Sequence, residues 1–272
     1  MGAIAAVDPV EARRAVAAMG ARVSALVRCI NHPDRPVLGV WDSTDLAVHL
    51  SHGVDIVTAM ARGVSPMTDD IWDLTTLTGM LVAGESERDL GAIATRLDES
   101  VAALLGVLRD TEGDPGREWV VQGVEFPLST IACHALNELV VHGGDLARAD
   151  GAPWPVERHH AALVLRGFMF PVLGALGRAL VDRDHAAGVT ATYHIVLRGG
   201  GGTYLRFDDG EMTVSDAAPG PVDCHLSVDP AAFLQVAWGR SGQWPPILKG
   251  KLLAYGRKPW LGLKLNRLIR TP

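Results

Sequence analysis

Residues 134–147 read HALNELVVHGGDLA. His134, Glu138 and His142 fall at i, i+4 and i+8, so on an α-helix they drift only slightly around one face. A carboxylate and an imidazole one turn apart can point at a single cation. Zinc-type ions accept nitrogen and oxygen donors at about 2.0–2.2 Å, and two ligands from one helix plus a third from a neighbour leave a coordination position open. Helix bundles build such sites from inward side chains on facing helices. The stretch predicts a helix over 127–149, with Pro127 near its first turn and Gly151 just past its end.

Upstream, the chain supplies partners for that helix. Val10, Ala15, Met19, Val23, Leu26 and Val27 keep helical spacing over 10–28, and Pro33 and Pro36 then break it. A second helix starts at Asp42 or Ser43, both good N-cap types, and runs to Gly63. It carries His49 and His52, the candidates for a third metal ligand. A loop of polar and small residues follows. Residues 87–109 read as a helix with Leu90, Ile93, Leu97, Val101, Leu104 and Leu108 on one stripe. Breakers at 113–116 lead into the metal-candidate helix, where Asn137 and Asp145 are available to hold an imidazole N–H. A fifth helix is predicted over 156–181. The first two-thirds is thus an all-helical bundle.

The character changes near Asp184. TATYHIVLRG alternates as a strand does, 199–202 is a glycine turn, and TYLRFDDGEMTVS reads as a second strand with an Asp-Gly turn. VDCHLSVD is a third strand; Asp229-Pro230 opens the apolar helix AAFLQVAWG, and the chain closes on a basic helix. The expected architecture is α+β in two domains, a helical bundle over 1–184 and a smaller α+β domain over 185–272.

Composition bounds the function. Hydrophobic residues make up 48% and charged residues 21%, which supports a packed core and excludes wholesale disorder. Cys29, Cys133 and Cys224 are too few and too scattered for a disulfide framework, which points to a reducing, cytoplasmic setting. The opening MGAIAAVDPVEARR has no basic residue ahead of its apolar run and is not read as a secretory signal. Residues 161–181 carry Arg166 and Arg178 and are read as too short between them to cross a bilayer. The first 229 residues carry a net charge of −14, and the last 43 carry +8. Because the basic residues of that tail alternate with Trp260, Leu261, Leu265 and Leu268, it is read as a solvated face that attracts a small anion. Neither nucleic acid nor membrane is the expected partner.

WDSTDLAVHLSHG (41–53) and NELVVHGGDLARADG (137–151) resemble the mycothiol-dependent maleylpyruvate isomerase family, whose N-terminal domain is a DinB-like metal-binding four-helix bundle. VDCHLSVDPAAFLQVAWGR and LKGKLLAYGR echo the sterol-carrier-like C-terminal domain of the same family. The resemblance covers nearly the whole chain in order. It implies His49, rather than His52, together with Glu138 and His142 as metal ligands, and mycothiol as the cofactor; the nitrogen and oxygen donors point to zinc as the metal. His52 and His134 have no assigned role in that pattern. Family members often carry a large aromatic after the His-Gly of this helix, where this chain has Gly144. A glycine there is expected to loosen the region beside the metal, and two adjacent glycines suggest a steric reason, since each costs a helix about 1 kcal/mol relative to alanine.

A metal-coordinated thiol is a thiolate at neutral pH. None of the three cysteines has a recognisable catalytic pairing, and Cys133, inside a helix, is read as a small core residue. The nucleophile is therefore expected to come from outside, as mycothiol, acting on a small and anionic electrophile by cis–trans isomerisation or by S-transfer. Arg240, just past the AAFLQVAWG helix, is the candidate catalytic residue outside the metal set, because its planar fork can clamp a carboxylate. The other reading is a binding protein with a structural metal site. The spacing around Ser241 is not a nucleophile elbow, and the RGGGG run lacks the Lys-Ser/Thr of a phosphate loop.

Overall fold

The computed structural model describes residues 6–64 and 67–271, so the first five residues of the opening stretch lie outside the described residues. The chain is α+β and forms two compact units, Val7–Val156 and Glu157–Thr271.

The first unit holds helices α1 (Pro9–Arg28), α2 (Ser43–Ala61), α3 (Leu74–Gly84), α4 (Leu90–Asp110) and α5 (Leu128–Asp150). α1 and α2 each pack against α4 and α5, which makes a four-helix bundle of these elements. Its core includes the fully buried Met19, Leu46, Leu50, Leu97, Leu104, Ile131, Leu136 and Leu139. Burying one such side chain is worth about 1.5–3 kcal/mol, so the apolar stripes alone fix which faces meet. Aspartates set the starts: Asp8, Asp42 and Asp89 each accept a hydrogen bond from a backbone N–H in the first turn of α1, α2 and α4. α5 begins on Pro127, which offers no side-chain cap; Asp114 takes that role by accepting from the Ser129 N–H at 2.7 Å and its hydroxyl at 2.6 Å.

Two small hairpins launch the two helices that matter for the site. β1 (Pro36–Leu38) pairs with β2 (Trp41–Asp42) directly ahead of α2, and β3 (Gly116–Glu118) pairs with β4 (Glu125–Pro127) directly ahead of α5. α3 occupies the region read as loop. Among its residues only Val82 is buried, so it carries no apolar stripe for the sequence to reveal.

The second unit is a five-stranded sheet with helices. Its strands are β5 (Thr190–Leu197), β6 (Gly202–Asp208), β7 (Glu211–Ser215), β8 (Cys224–Val228) and β9 (Leu252–Tyr255), in the order β7-β6-β5-β8-β9. Only β5 and β8 run parallel. One face buries Tyr193, Ile195, Leu205, Phe207, Met212 and Leu226.

The expected domain boundary at 184/185 differs from the division at 156/157, because the helix Arg158–Leu180 packs on β7 and on the Pro230–Ala237 helix. A Cβ at Gly177 would lie 2.7 Å from the Met212 carbonyl oxygen, so glycine permits that close approach. By length and composition alone this 23-residue helix could cross a bilayer, but 56% of its most apolar window is buried, as in a core helix. Its centre, Leu165–Met169, is a π-helical turn just ahead of Pro171, which has no N–H to give to an α-helical ladder. The basic tail is not one helix. Pro245, Pro246, Gly250, Gly256 and Pro259 divide it into a short helix, the edge strand β9, a 3-10 turn and a last turn of helix.

Candidate metal centre

α5 carries Glu138 and His142 one turn apart, and α2 brings His49 against them. Nε2 of His49 and Nε2 of His142 each lie 3.4 Å from Oε2 of Glu138. All three donor atoms fall within 4.8 Å of one another, a span that one cation with ligands at about 2.0–2.2 Å can bridge. The side chains are 12–17% exposed, so the cluster is nearly enclosed yet reachable. Two imidazoles and a carboxylate are a zinc-type donor set, and the residues fit such an ion. Among the described residues the cluster has three members, fewer than the four of a closed structural zinc site.

The surroundings orient each ligand. His142 shares a hydrogen bond between Nδ1 and Oδ2 of the buried Asp145 at 3.2 Å, which directs Nε2 toward Glu138. Arg148 donates to the other oxygen of Asp145 at 3.1 Å. The His49 ring packs on Trp41 at 4.9 Å and meets the His142 ring edge-on at 5.1 Å. The Trp119 indole N–H donates to His134 Nδ1 at 3.2 Å, so the His134 proton sits on Nε2, 3.7 Å from Glu138 Oε1. Asn137 donates to the same Oε1 at 3.2 Å. The two oxygens of Glu138 are thereby divided: Oε1 faces the N–H groups of Asn137 and His134, and Oε2 faces the two candidate ligand imidazoles.

Charge follows from this geometry. Burial opposes ionisation of Glu138, but its hydrogen bonds to His142 and His49 outweigh that and hold its pKa well below the carboxylate range. Burial also opposes the His142 cation, but the bonds to Asp145 and Glu138 prevail and raise its pKa to about 9. His134 is pushed down by burial, which favours its neutral form.

His52 points into a different network. Its Nε2 is 3.4 Å from Glu85, and its Nδ1 is 3.3 Å from Arg96, which also pairs with Asp55 and Glu85. Gly143 and Gly144 do not leave slack beside the metal ligands. A Cβ on Gly143 would lie 2.5 Å from Trp154 Cζ2, and one on Gly144 would lie 3.2 Å from Trp154 Cδ1. The glycines make room for an indole that packs on α5, donates to the Val140 carbonyl at 3.3 Å and carries the Arg22 guanidinium 3.8 Å above its ring. That contact corrects the expected loosening.

Arg240 belongs to the other unit, where its Nη1 donates to the Trp238 carbonyl at 2.7 Å. Cys133 and Cys224 are buried, and burial raises the Cys224 pKa; Cys29 is exposed at the end of α1. Trp119, which donates to His134, and Trp154, which packs on Gly143, are neighbours of the cluster that the sequence reading missed. Both come from loops with no periodicity, so no sequence signal pointed to them.

Both units have counterparts among known proteins. The family described as the mycothiol maleylpyruvate isomerase N-terminal domain matches residues 12–147, and the SCP-2 sterol transfer family matches residues 174–269. Two crystal structures of the mycothiol-dependent maleylpyruvate isomerase, one of a histidine-to-alanine mutant, share the fold. The mutant structure aligns with a TM-score of 0.55 and the other with 0.53; each is 16% identical and covers 91% of this chain and 93% of its own. A search of curated proteins found no match.

Proposed function

The chain belongs to the family of the mycothiol maleylpyruvate isomerase N-terminal domain, and from that premise we propose that it is a metal-dependent isomerase that uses mycothiol on a small, anionic, unsaturated substrate. The observation that carries the reading is the convergence of His49, Glu138 and His142 within 4.8 Å, backed by Asp145. These three residues would hold a divalent metal, with zinc favoured by the donor set. When bound, the metal lowers the pKa of a coordinated thiol so that a thiolate exists at neutral pH. Mycothiol, if bound there, would supply the sulfur nucleophile for cis–trans isomerisation of an activated double bond, and S-transfer would use the same sulfur.

The protein's own contribution is preorganisation. Asp145 holds the His142 ring and raises its basicity. Asn137 and His134 occupy Oε1 of Glu138 and so commit Oε2 to the metal side. Arg240 is assigned the substrate carboxylate, which a planar guanidinium binds through two parallel N–H bonds. A structural-site reading would need a fourth protein donor, and the described cluster has three.

The test is metal analysis of purified variants alongside isomerase turnover with maleylpyruvate and mycothiol. Alanine at His49, Glu138 or His142 is expected to abolish stoichiometric metal and turnover together, whereas His52→Ala and His134→Ala retain most of the metal. Full metal occupancy in the His49 or Glu138 variant would sink the ligand assignment. A fully metallated wild type with no mycothiol-dependent turnover would sink the enzymatic one.

A further inference from the structure

A second imidazole cluster lies on the sheet of the Glu157–Thr271 unit. His194 of β5 and His225 of β8 are direct partners in the parallel ladder, and their Nδ1 atoms are 3.2 Å apart. The register puts Tyr204 of β6 beside His194 and Tyr255 of β9 beside His225. The four rings therefore form one row across four strands. His194 stacks on Tyr204 with centroids 4.1 Å apart and planes 8° apart, and His225 stacks on Tyr255 at 5.0 Å and 14°.

Strand alternation decides which side the row occupies. Tyr193, Ile195, Leu205 and Leu226, the neighbours in sequence, are buried on the core face, so the row stands on the opposite, partly exposed face. Each histidine is held on its outer flank by a tyrosine, which limits its rotamers and leaves its Nδ1 turned toward the other imidazole. Gly256 matters here, because a Cβ at that position would come within 3.1 Å of the His225 ring. Burial, and then the neighbouring His225, lower the pKa of His194, which favours the neutral ring with a lone pair to donate.

We propose that His194 and His225 form a bidentate site for a borderline transition-metal cation such as Cu2+ or Zn2+, separate in sequence and in unit from the His49–Glu138–His142 centre. Imidazole nitrogens bind such ions at about 2.0–2.1 Å, and with the nitrogens 3.2 Å apart the angle at the metal is about 100°, between the square-planar and tetrahedral values. The ladder supplies this spacing from the backbone, so little rearrangement is needed on binding. Among the described residues no third histidine, cysteine or carboxylate donor joins the pair, so the remaining positions fall to water or a small ligand. In the metal-free protein one ring donates its Nδ1–H to the other; binding requires both rings to carry the proton on Nε2, a change of tautomer with no net proton released.

The test separates this site from the first by removing the first. In the full chain carrying His49→Ala and His142→Ala, Cu2+ titration followed by calorimetry and electron paramagnetic resonance should find one equivalent bound with two equatorial nitrogens. Adding His194→Ala or His225→Ala should weaken that binding by about tenfold or more and remove one nitrogen from the spectrum. Adding His159→Ala, in a control, should change neither. Circular dichroism checks each fold, and His225→Gln, which keeps a side chain in the row, must behave as His225→Ala does. Absence of Cu2+ binding in the triad-deficient chain, or an unchanged two-nitrogen signal after His194→Ala or His225→Gln, would overturn the proposal.

Discussion

Metal binding at the bundle site should strengthen about tenfold per pH unit between pH 7 and 9. The reason is His142. In the metal-free protein its pKa is raised to about 9, so at pH 7 it carries a proton on the nitrogen that the metal needs. Freeing that nitrogen at pH 7 costs about two pKa units, or about 2.7 kcal/mol, which is about a hundredfold in apparent affinity. Glu138 adds no second proton near neutrality, because its pKa is held well below the carboxylate range. The perturbation that isolates the cause is Asp145→Asn, which keeps the shape but removes the charge 3.2 Å from His142 Nδ1. Two effects then oppose each other at pH 7: proton competition weakens, and the orienting carboxylate is lost, at a typical cost of ten- to a hundredfold in affinity. The slope is therefore the diagnostic quantity. Competition against a chromophoric chelator from pH 6 to 9.5 gives it, and calorimetry in buffers of different ionisation enthalpy counts the released proton. Asp145→Asn should flatten the profile above neutrality. A wild-type affinity that is flat between pH 7 and 9, or an identical slope in both proteins, would refute the reasoning.

The same raised pKa bears on folding. His142 is more basic folded than unfolded, so its contribution to metal-free stability is full below the ordinary histidine pKa of about 6.5 and is lost as pH rises through about 9. Denaturation of the metal-free protein should show that decline, and chelator-free, metal-loaded protein should not. Gly143→Ala should destabilise the bundle by about 1–3 kcal/mol through its clash with Trp154 and Val23, and its effect should be much smaller when measured against Trp154→Ala than against wild type, read from urea midpoints of the four proteins. Arg240→Ala should raise KM for an anionic substrate without changing metal content, and unchanged kinetics would return Arg240 to a purely structural role. The Cys29→Ser/Cys133→Ser/Cys224→Ser variant, if folded and metallated, should keep its thiol-dependent turnover; loss with Cys133→Ser alone would place the nucleophile in the protein.

What could be read in advance followed the range of the physics. α1, α2, α4 and α5 each announce themselves through an apolar stripe or a capping residue, and both signals act within about a turn of helix. Glu138 and His142 share one helix, so their pairing is local and legible. The choice between His49 and His52 is not, because it depends on which neighbours claim each ring. His52 is taken by Glu85 and Arg96, which arrive from the end of α3 and from α4, and His49 is left to meet α5. Trp119 reaches His134 from a hairpin, and Trp154 reaches Gly143 from a loop; neither contact has a period to detect.

The apolar helix over 158–180 exposes the same limit at the level of the unit. Its composition suits a bundle or a sheet equally well, and it joins the sheet because Gly177 lets its backbone settle on β7. The ring row on β6, β5, β8 and β9 carries this furthest. Each strand contributes one unremarked aromatic or histidine, and only the register assembles them. Local sequence thus specifies the donors of both imidazole sites, while packing in the bundle and register in the sheet decide which donors meet.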